Sequence, residues 1–260
     1  AGSVAYAGAG CFGIRPGALL LTVSGGAIGW CSMAHVYGAP GTYQIATAGH
    51  CGNTGDIATI IAGTGSRNGV TGVILLDFGK YAKSTGDGGI GRDWALIGID
   101  APWQRLVSPT MCFWGGPVGT YTKTGAVVAP TWSRGLPSGI STNPDPTLAT
   151  TVVHYGHGTG VGFPAGTPRV GQVIEWRASN FAWVGAISPG DSGSGSNAVL
   201  GDTVGTVREA AGINTHIYVG TSYYQQYGLG ILASTRSTLV SATLANGQLV
   251  PYPAPLAGAP

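Results

Sequence analysis

The chain has 260 residues, a formal net charge of +2 and only 8% charged residues. So sparse and nearly balanced a charge disfavours a nucleic-acid or other polyanion-binding surface and gives no basis for strong electrostatic steering. No apolar run reaches the roughly 18 residues of a spanning helix, and the first residues lack the basic, apolar and small-residue succession of a signal peptide, so the expectation is a processed, soluble form.

Short apolar or β-branched runs between Gly, Pro, Asn and Ser clusters predict strands over 18–23, 43–48, 70–78, 94–99, 125–129, 151–153, 170–176 and 203–207. Helical periodicity is found only near Ser234–Ala245, with Ser234 as a candidate N-cap. The pattern is all-β, and 260 residues would overfill one barrel. Two packed six-stranded antiparallel β-barrels with a short C-terminal helix are therefore expected.

Three short strings carry chemistry: Thr47-Ala48-Gly49-His50-Cys51-Gly52, Asp93-Trp94-Ala95-Leu96-Ile97 and Gly190-Asp191-Ser192-Gly193-Ser194-Gly195. In that order they offer a base, an acid and a nucleophile. A serine hydroxyl attacks poorly near neutral pH until an imidazole takes its proton, and the imidazole needs a carboxylate to fix its tautomer and stabilise its cation. His35, His154, His157 and His216 lack the surroundings of His50. His154 and His157 read as ordinary surface or cleft histidines, since three-residue spacing on a strand turns them to opposite faces, away from a shared metal. Asp56, Asp77, Asp87 and Asp100 compete with Asp93, but Asp93 opens an alternating run that reads as a strand entering a core. The glycines around Ser192 permit a tight bend in which backbone amides converge on a developing oxyanion. Four cysteines, Cys11, Cys31, Cys51 and Cys112, allow three pairings, and their even number in a weakly charged chain fits an oxidising compartment.

With Cys31-Ser32 preceding the histidine string, Val152 to Gly160 and Gly230 to Ser237, these strings resemble the chymotrypsin-like serine proteases, specifically the secreted bacterial branch of the alpha-lytic protease and streptogrisin type. The resemblance implies the trypsin-like double barrel, with residues 28–115 as the first barrel bearing His50 and Asp93, and residues 116–250 as the second, bearing Ser192, the pocket and the C-terminal helix. Residues 1–27, an N-terminal extension, and 251–260, a Pro-rich tail, are not accounted for by it. It implies a Cys31–Cys51 bridge, which leaves Cys11 and Cys112 to each other. The amides of Gly190 and Ser192 would form the oxyanion hole. An internal arginine would neutralise Asp191, because Ala1 is not the branched aliphatic start that pairs with this position in animal relatives. Val153 and Phe163, and Ala186 and Leu229, stand where bacterial relatives carry two more disulfides, and Ser194 stands where they more often have glycine.

The resemblance also places the substrate pocket at Ala186, Ile187, Asn214, Thr215, His216 and Ile217. No carboxylate stands near Ala186 and Ile187 to hold a lysine or arginine, and Ile217 replaces a common glycine, so a shallow pocket for small or medium uncharged side chains is expected, with a glutamate preference as the alternative if His216 or Asn214 points inward. The implied activity is that of a secreted, extracellular serine endopeptidase working through an acyl-enzyme on protein or peptide substrates. It would need no cofactor and no metal, contact no nucleic acid or membrane, and act as a monomer. An esterase or acyltransferase with the same triad, or a non-catalytic recognition module of the same fold, are the alternatives.

Overall fold

The computed structural model describes residues 13–89, 91–121, 131–132, 137–138, 151–159, 166–176, 180–185, 187–200, 207–218, 230–235 and 249–250. Alternation of buried and outward-facing residues organises the N-terminal part. In β1 (Leu19–Ser24), Leu20 and Thr22 are buried while their neighbours are partly covered. It is joined by β2 (Ala27–Ser32), β3 (Val36–Tyr37), β4 (Gln44–Thr47), β5 (Ile57–Arg67), β6 (Val70–Ser84) and β7 (Ala95–Ile99). These pair antiparallel as one seven-stranded sheet in the order β2-β1-β5-β6-β7-β4-β3. Leu20, Met33, Ile45, Phe78, Tyr81 and Ile97 fill the hollow of that sheet. Burying such side chains supplies about 1.5–3 kcal/mol each.

Asn68 and Gly69 connect β5 to β6 with φ of 53° and 79°, the left-handed pair that a two-residue hairpin turn requires. A short β8 (Thr131–Trp132) and β9 (Pro137–Ser138) form a separate pair. The C-terminal part comprises β10 (Thr151–Gly156), β11 (Thr167–Trp176), β12 (Asn180–Gly185), β13 (Gly195–Leu200), β14 (Val207–Tyr218) and β15 (Gly230–Thr235). It closes into a six-stranded barrel in the order β10-β11-β12-β15-β14-β13. Tyr121, Val152, Phe181, Trp183, Ala198 and Ala211 form its core.

The two-unit, all-β expectation therefore holds, with the first unit carrying seven strands in open order and the second closed. Ser234 departs from its expected place as a helix cap: it lies in β15, opposite Phe181 and Asn214. Pairing with both β12 and β14 closes the barrel, and that tertiary demand overrides a local capping signal. The remainder of the expected helix, 236–245, lies outside the described residues, as do 125–129 and 203–206.

The units meet through apolar and polar contacts: Ala34, Tyr37, Ala46, Ala48, Trp94 and Leu96 pack with Ala210 and Ile213 of β14. His35, fully buried after β2, bonds Asn197 Oδ1 of β13 through Nε2 at 2.9 Å. Burial outweighs that hydrogen bond and lowers the His35 pKa to about 4, so the ring is neutral at ordinary pH. His154 and His157, expected at the surface or in a cleft, are buried: His154 lies edge-to-face on Trp183 and His157 on Tyr155.

Candidate functional site

The pairing of β4 with β7 brings the first two candidate residues together. Thr47 stands opposite Ala95 in antiparallel register, so the residues just past β4 and just before β7 share one end of the sheet. His50 lies in a 3-10 turn, Gly49–Cys51, at that end, and Asp93 precedes β7. The fully buried Asp93 carboxylate accepts two hydrogen bonds from His50, at 3.0 Å from the backbone N–H and 2.6 Å from Nδ1. That arrangement fixes the ring's orientation and leaves Nε2 as the proton-accepting nitrogen. The His50 side chain keeps 32% of its surface exposed. Burial by itself lowers the pKa of His50, but the Asp93 hydrogen bond and the charges of Asp93 and Asp87 together outweigh it and raise the pKa above its ordinary value.

A disulfide between Cys31 and Cys51 fastens this turn to the end of β2. Cys112 is also disulfide-bonded, while Cys11 lies outside the described residues.

The serine-bearing turn is held by Ser32, the residue after Cys31. Its N–H donates to the Ser192 carbonyl at 2.7 Å, and its hydroxyl donates to the Gly190 carbonyl at 3.0 Å. The same hydroxyl accepts from the His157 N–H at 3.1 Å, and the Ser32 carbonyl accepts from Thr47 Oγ1 at 2.9 Å. One residue thus ties the turn to the segment that carries the disulfide and the histidine. Two glycines make this approach possible. Gly193 has φ +85°, and a Cβ there would lie 2.1 Å from Thr47 Oγ1 and 2.4 Å from the Ser32 carbonyl oxygen. Gly190 has φ +102°, and a Cβ would lie 2.6 Å from the His157 carbonyl oxygen. No L side chain fits either position.

The turn's interior is anchored by Asp191, which is fully buried. Its carboxylate forms a bidentate pair with the buried guanidinium of Arg169 on β11 and accepts from the Gly158 N–H at 2.9 Å and the Ser188 N–H at 3.0 Å. Arg169 is the internal arginine expected, without a position, as the partner of Asp191. Asp191, Gly193 and Ser194 donate their amides to Ser188, Asn214 and Asp191 respectively. Among the described residues, neither the Gly190 nor the Ser192 amide donates a hydrogen bond. Two N–H groups flanking a serine are thereby available to a negatively charged oxygen.

The expected pocket residues separate. Ile187 packs, partly buried, against the barrel core. Asn214 is fully buried and scaffolds the turn: its amide nitrogen donates to Ser194 Oγ at 2.9 Å, and its Oδ1 accepts from Ser196 Oγ at 2.8 Å and Trp183 Nε1 at 3.2 Å. That network gives Ser194 a partner a glycine would lack. Thr215 is buried, and its hydroxyl lies 2.8 Å from His216 Nδ1. His216 turns toward the carboxylates, with Nε2 3.4 Å from Asp87 and Nδ1 4.0 Å from Asp93. Ala186 and the side chain of Ile217 lie outside the described residues, as do Phe163 and Leu229, whereas Val153 is buried in β10.

Among the described residues two groupings bring three metal-capable atoms within 4.8 Å of one another. Cys31, Cys51 and His50 form one, but both sulfurs are consumed in the disulfide. Asp87, Asp93 and His216 form the other, in which Asp93 already accepts from His50 through both oxygens. No helix among the described residues is long and apolar enough to cross a membrane.

No protein-family model and no curated protein sequence matches the chain. Among solved structures it is similar to protease A of Thermobifida fusca, at 18% identity over 91% of this chain and 98% of that one, with a TM-score of 0.49. Nocardiopsis protease shares 17% identity over 92% and 98%, with a TM-score of 0.45. Protease Anisep from Arthrobacter nicotinovorans shares 14% over 89% and 94%, with a TM-score of 0.49.

Proposed function

We propose that the chain is a serine endopeptidase in which His50 is the general base, Asp93 its orienting acid and Ser192 the nucleophile. The observation that carries this reading is the buried Asp93 carboxylate holding His50 through both backbone and Nδ1, beside a turn whose Gly190 and Ser192 amides are undonated. His50 Nε2 takes the Ser192 proton as Oγ attacks the substrate carbonyl carbon, and the two amides receive the resulting oxyanion. His50 then gives that proton to the leaving amine. Water, deprotonated by His50, attacks the acyl-enzyme and releases the acid and free Ser192. The chain acts outside the cell as a monomer on protein or peptide substrates, with a preference for small or medium uncharged side chains. Ile187, uncharged and packed on the barrel core, supports that preference.

Reaction with a fluorophosphonate followed by adduct mapping tests the assignment: label is expected on Ser192, with hydrolysis of an unstructured protein. Label elsewhere or none sinks the hydrolase reading; label on Ser192 without peptide cleavage favours ester substrates. Cleavage of a random peptide library dominated by cuts after arginine or lysine would overturn the stated preference.

A further inference from the structure

His216 is the second imidazole of this region and has no part in the mechanism just described. It lies on β14 immediately after an irregularity in the β14–β15 pairing, between Asn214 and His216. Such bulges redirect side chains. Here the ring comes to stand with Nε2 3.4 Å from Asp87 Oδ1 and Nδ1 4.0 Å from Asp93 Oδ2. Its centroid is 6.4 Å from that of His50, edge to face. The His216 side chain is 27% exposed, that of Asp87 70%. Asp87 is placed by the Gly89 N–H, which donates to Oδ1 at 3.2 Å.

We propose that His216 is a positioning residue for the His50–Asp93 pair: with Asp87 it completes a cluster of two carboxylates and two imidazoles that sets the pH at which His50 releases its proton. This rests on the reading of His50 and Asp93 as base and acid. The two carboxylates act on both rings. Each negative charge favours a proton on His50, whereas the His216 ring, edge to face with it, competes for the same two carboxylates. The other nearby charged groups are Lys83, whose ammonium lies over the Trp94 ring at 5.2 Å, and Arg92, exposed in the loop before Asp93.

The arrangement makes two substitutions act in opposite directions. His216→Gln removes the ring that competes with His50 for the two carboxylates, so the His50 midpoint rises; Asp87→Asn removes a supporting anion, so it falls. For partly exposed groups at these separations each shift is about half a pH unit, or roughly a threefold change in rate at fixed pH on the acidic limb. A merely structural role would change the rate or KM without moving the midpoint in opposite senses. The test is NMR titration of the His50 ring in the unmodified chain and both variants, with the pH dependence of peptide-ester hydrolysis alongside. Asp87 lies on an exposed loop, so its variant keeps the test available if His216→Gln folds poorly. Opposed shifts support the proposal; shifts in the same direction, or both smaller than about 0.2 unit, overturn it. The NMR midpoints do not depend on turnover. Opposed shifts in a protein whose Ser192 resists fluorophosphonate would uphold the cluster and overturn only the hydrolase reading.

Discussion

Replacing Arg169 with methionine isolates what holds the serine turn in shape. Methionine retains much of the arginine stem's packing and removes the guanidinium. Arg169 and Asp191 side chains are 6% and 0% exposed, so the variant leaves a carboxylate buried without its cation. Breaking such a pair from one side costs about 3–5 kcal/mol. Asp191 still accepts from the Gly158 and Ser188 amides, which places the expected loss at the lower end, about 3 kcal/mol. In a chain of this size that corresponds to roughly 6–12 °C in Tm. Urea denaturation monitored by tryptophan fluorescence measures it. Because Asp191 precedes Ser192, fluorophosphonate labelling should slow as well, by about 100-fold if the turn moves on the order of 1 Å. Arg169→Met combined with Asp191→Asn removes both charges and should recover at least half of the lost stability. A single variant within about 1 kcal/mol of the parent, or a double variant no better than the single, refutes the reasoning.

The His35–Asn197 contact predicts acid sensitivity between the units. The folded pKa of about 4 lies below the ordinary unfolded value of about 6.5, so the stability this group contributes is present above the upper value and is lost as pH falls towards the lower one. The loss is about 3 kcal/mol by pH 4, and His35→Gln should flatten that part of a stability–pH curve measured by denaturant titration. His50 has the opposite sign: its raised pKa predicts an acidic limb of hydrolysis centred above about 6.5, checked by kcat/KM from pH 5 to 9, and the stability it adds is present below its unfolded pKa and fades as pH rises through its folded one. Gly193→Ala drives a methyl into Thr47 Oγ1 and the Ser32 carbonyl, so labelling of Ser192 should be abolished even where circular dichroism is retained. Cys31→Ser with Cys51→Ser opens a loop with a sequence separation of 20 and should cost about 3 kcal/mol in thermal or urea unfolding.

The candidate triad was legible because its chemistry needs particular residue types in short contiguous strings. Strand alternation favoured Asp93 over Asp56, Asp77, Asp87 and Asp100, and the β4–β7 register supplies the geometric reason, setting the ends of those strands side by side. Arg169 was out of reach for a different reason. It lies 22 positions before Asp191 on β11, and only the barrel's closure brings it under the turn. The placement of His216 turns on a bulge, which shifts a side chain by one register step without any marker in the residues around it. Ser234 carried a local capping signal, and its pairing with β12 and β14 overrides it.

Ser32 ties the serine turn of the C-terminal barrel to the other sheet. A serine turn built wholly within the C-terminal barrel would leave the Gly190 and Ser192 carbonyls without the partners they have, because Ser32 lies 158 positions before Gly190 in the other unit. Buried backbone acceptors left unpaired cost about 1–3 kcal/mol each, so docking the two sheets and shaping the turn are one energetic event. The consequence is a division of labour. Asp191, Arg169 and Asn214 fix the turn from within the barrel, while Ser32 and Gly193 determine how closely it approaches the segment that carries His50. Changes to the first group should act mainly on stability and turn shape together, and changes to the second mainly on the approach of Ser192 to the His50 segment. Ser32→Ala, which keeps the backbone N–H that donates to Ser192 and deletes the hydroxyl that bridges Gly190 and His157, separates the two: it should slow Ser192 labelling while costing only about 1–3 kcal/mol in unfolding. Labelling at the parent rate would show that the hydroxyl bridge does not set the approach.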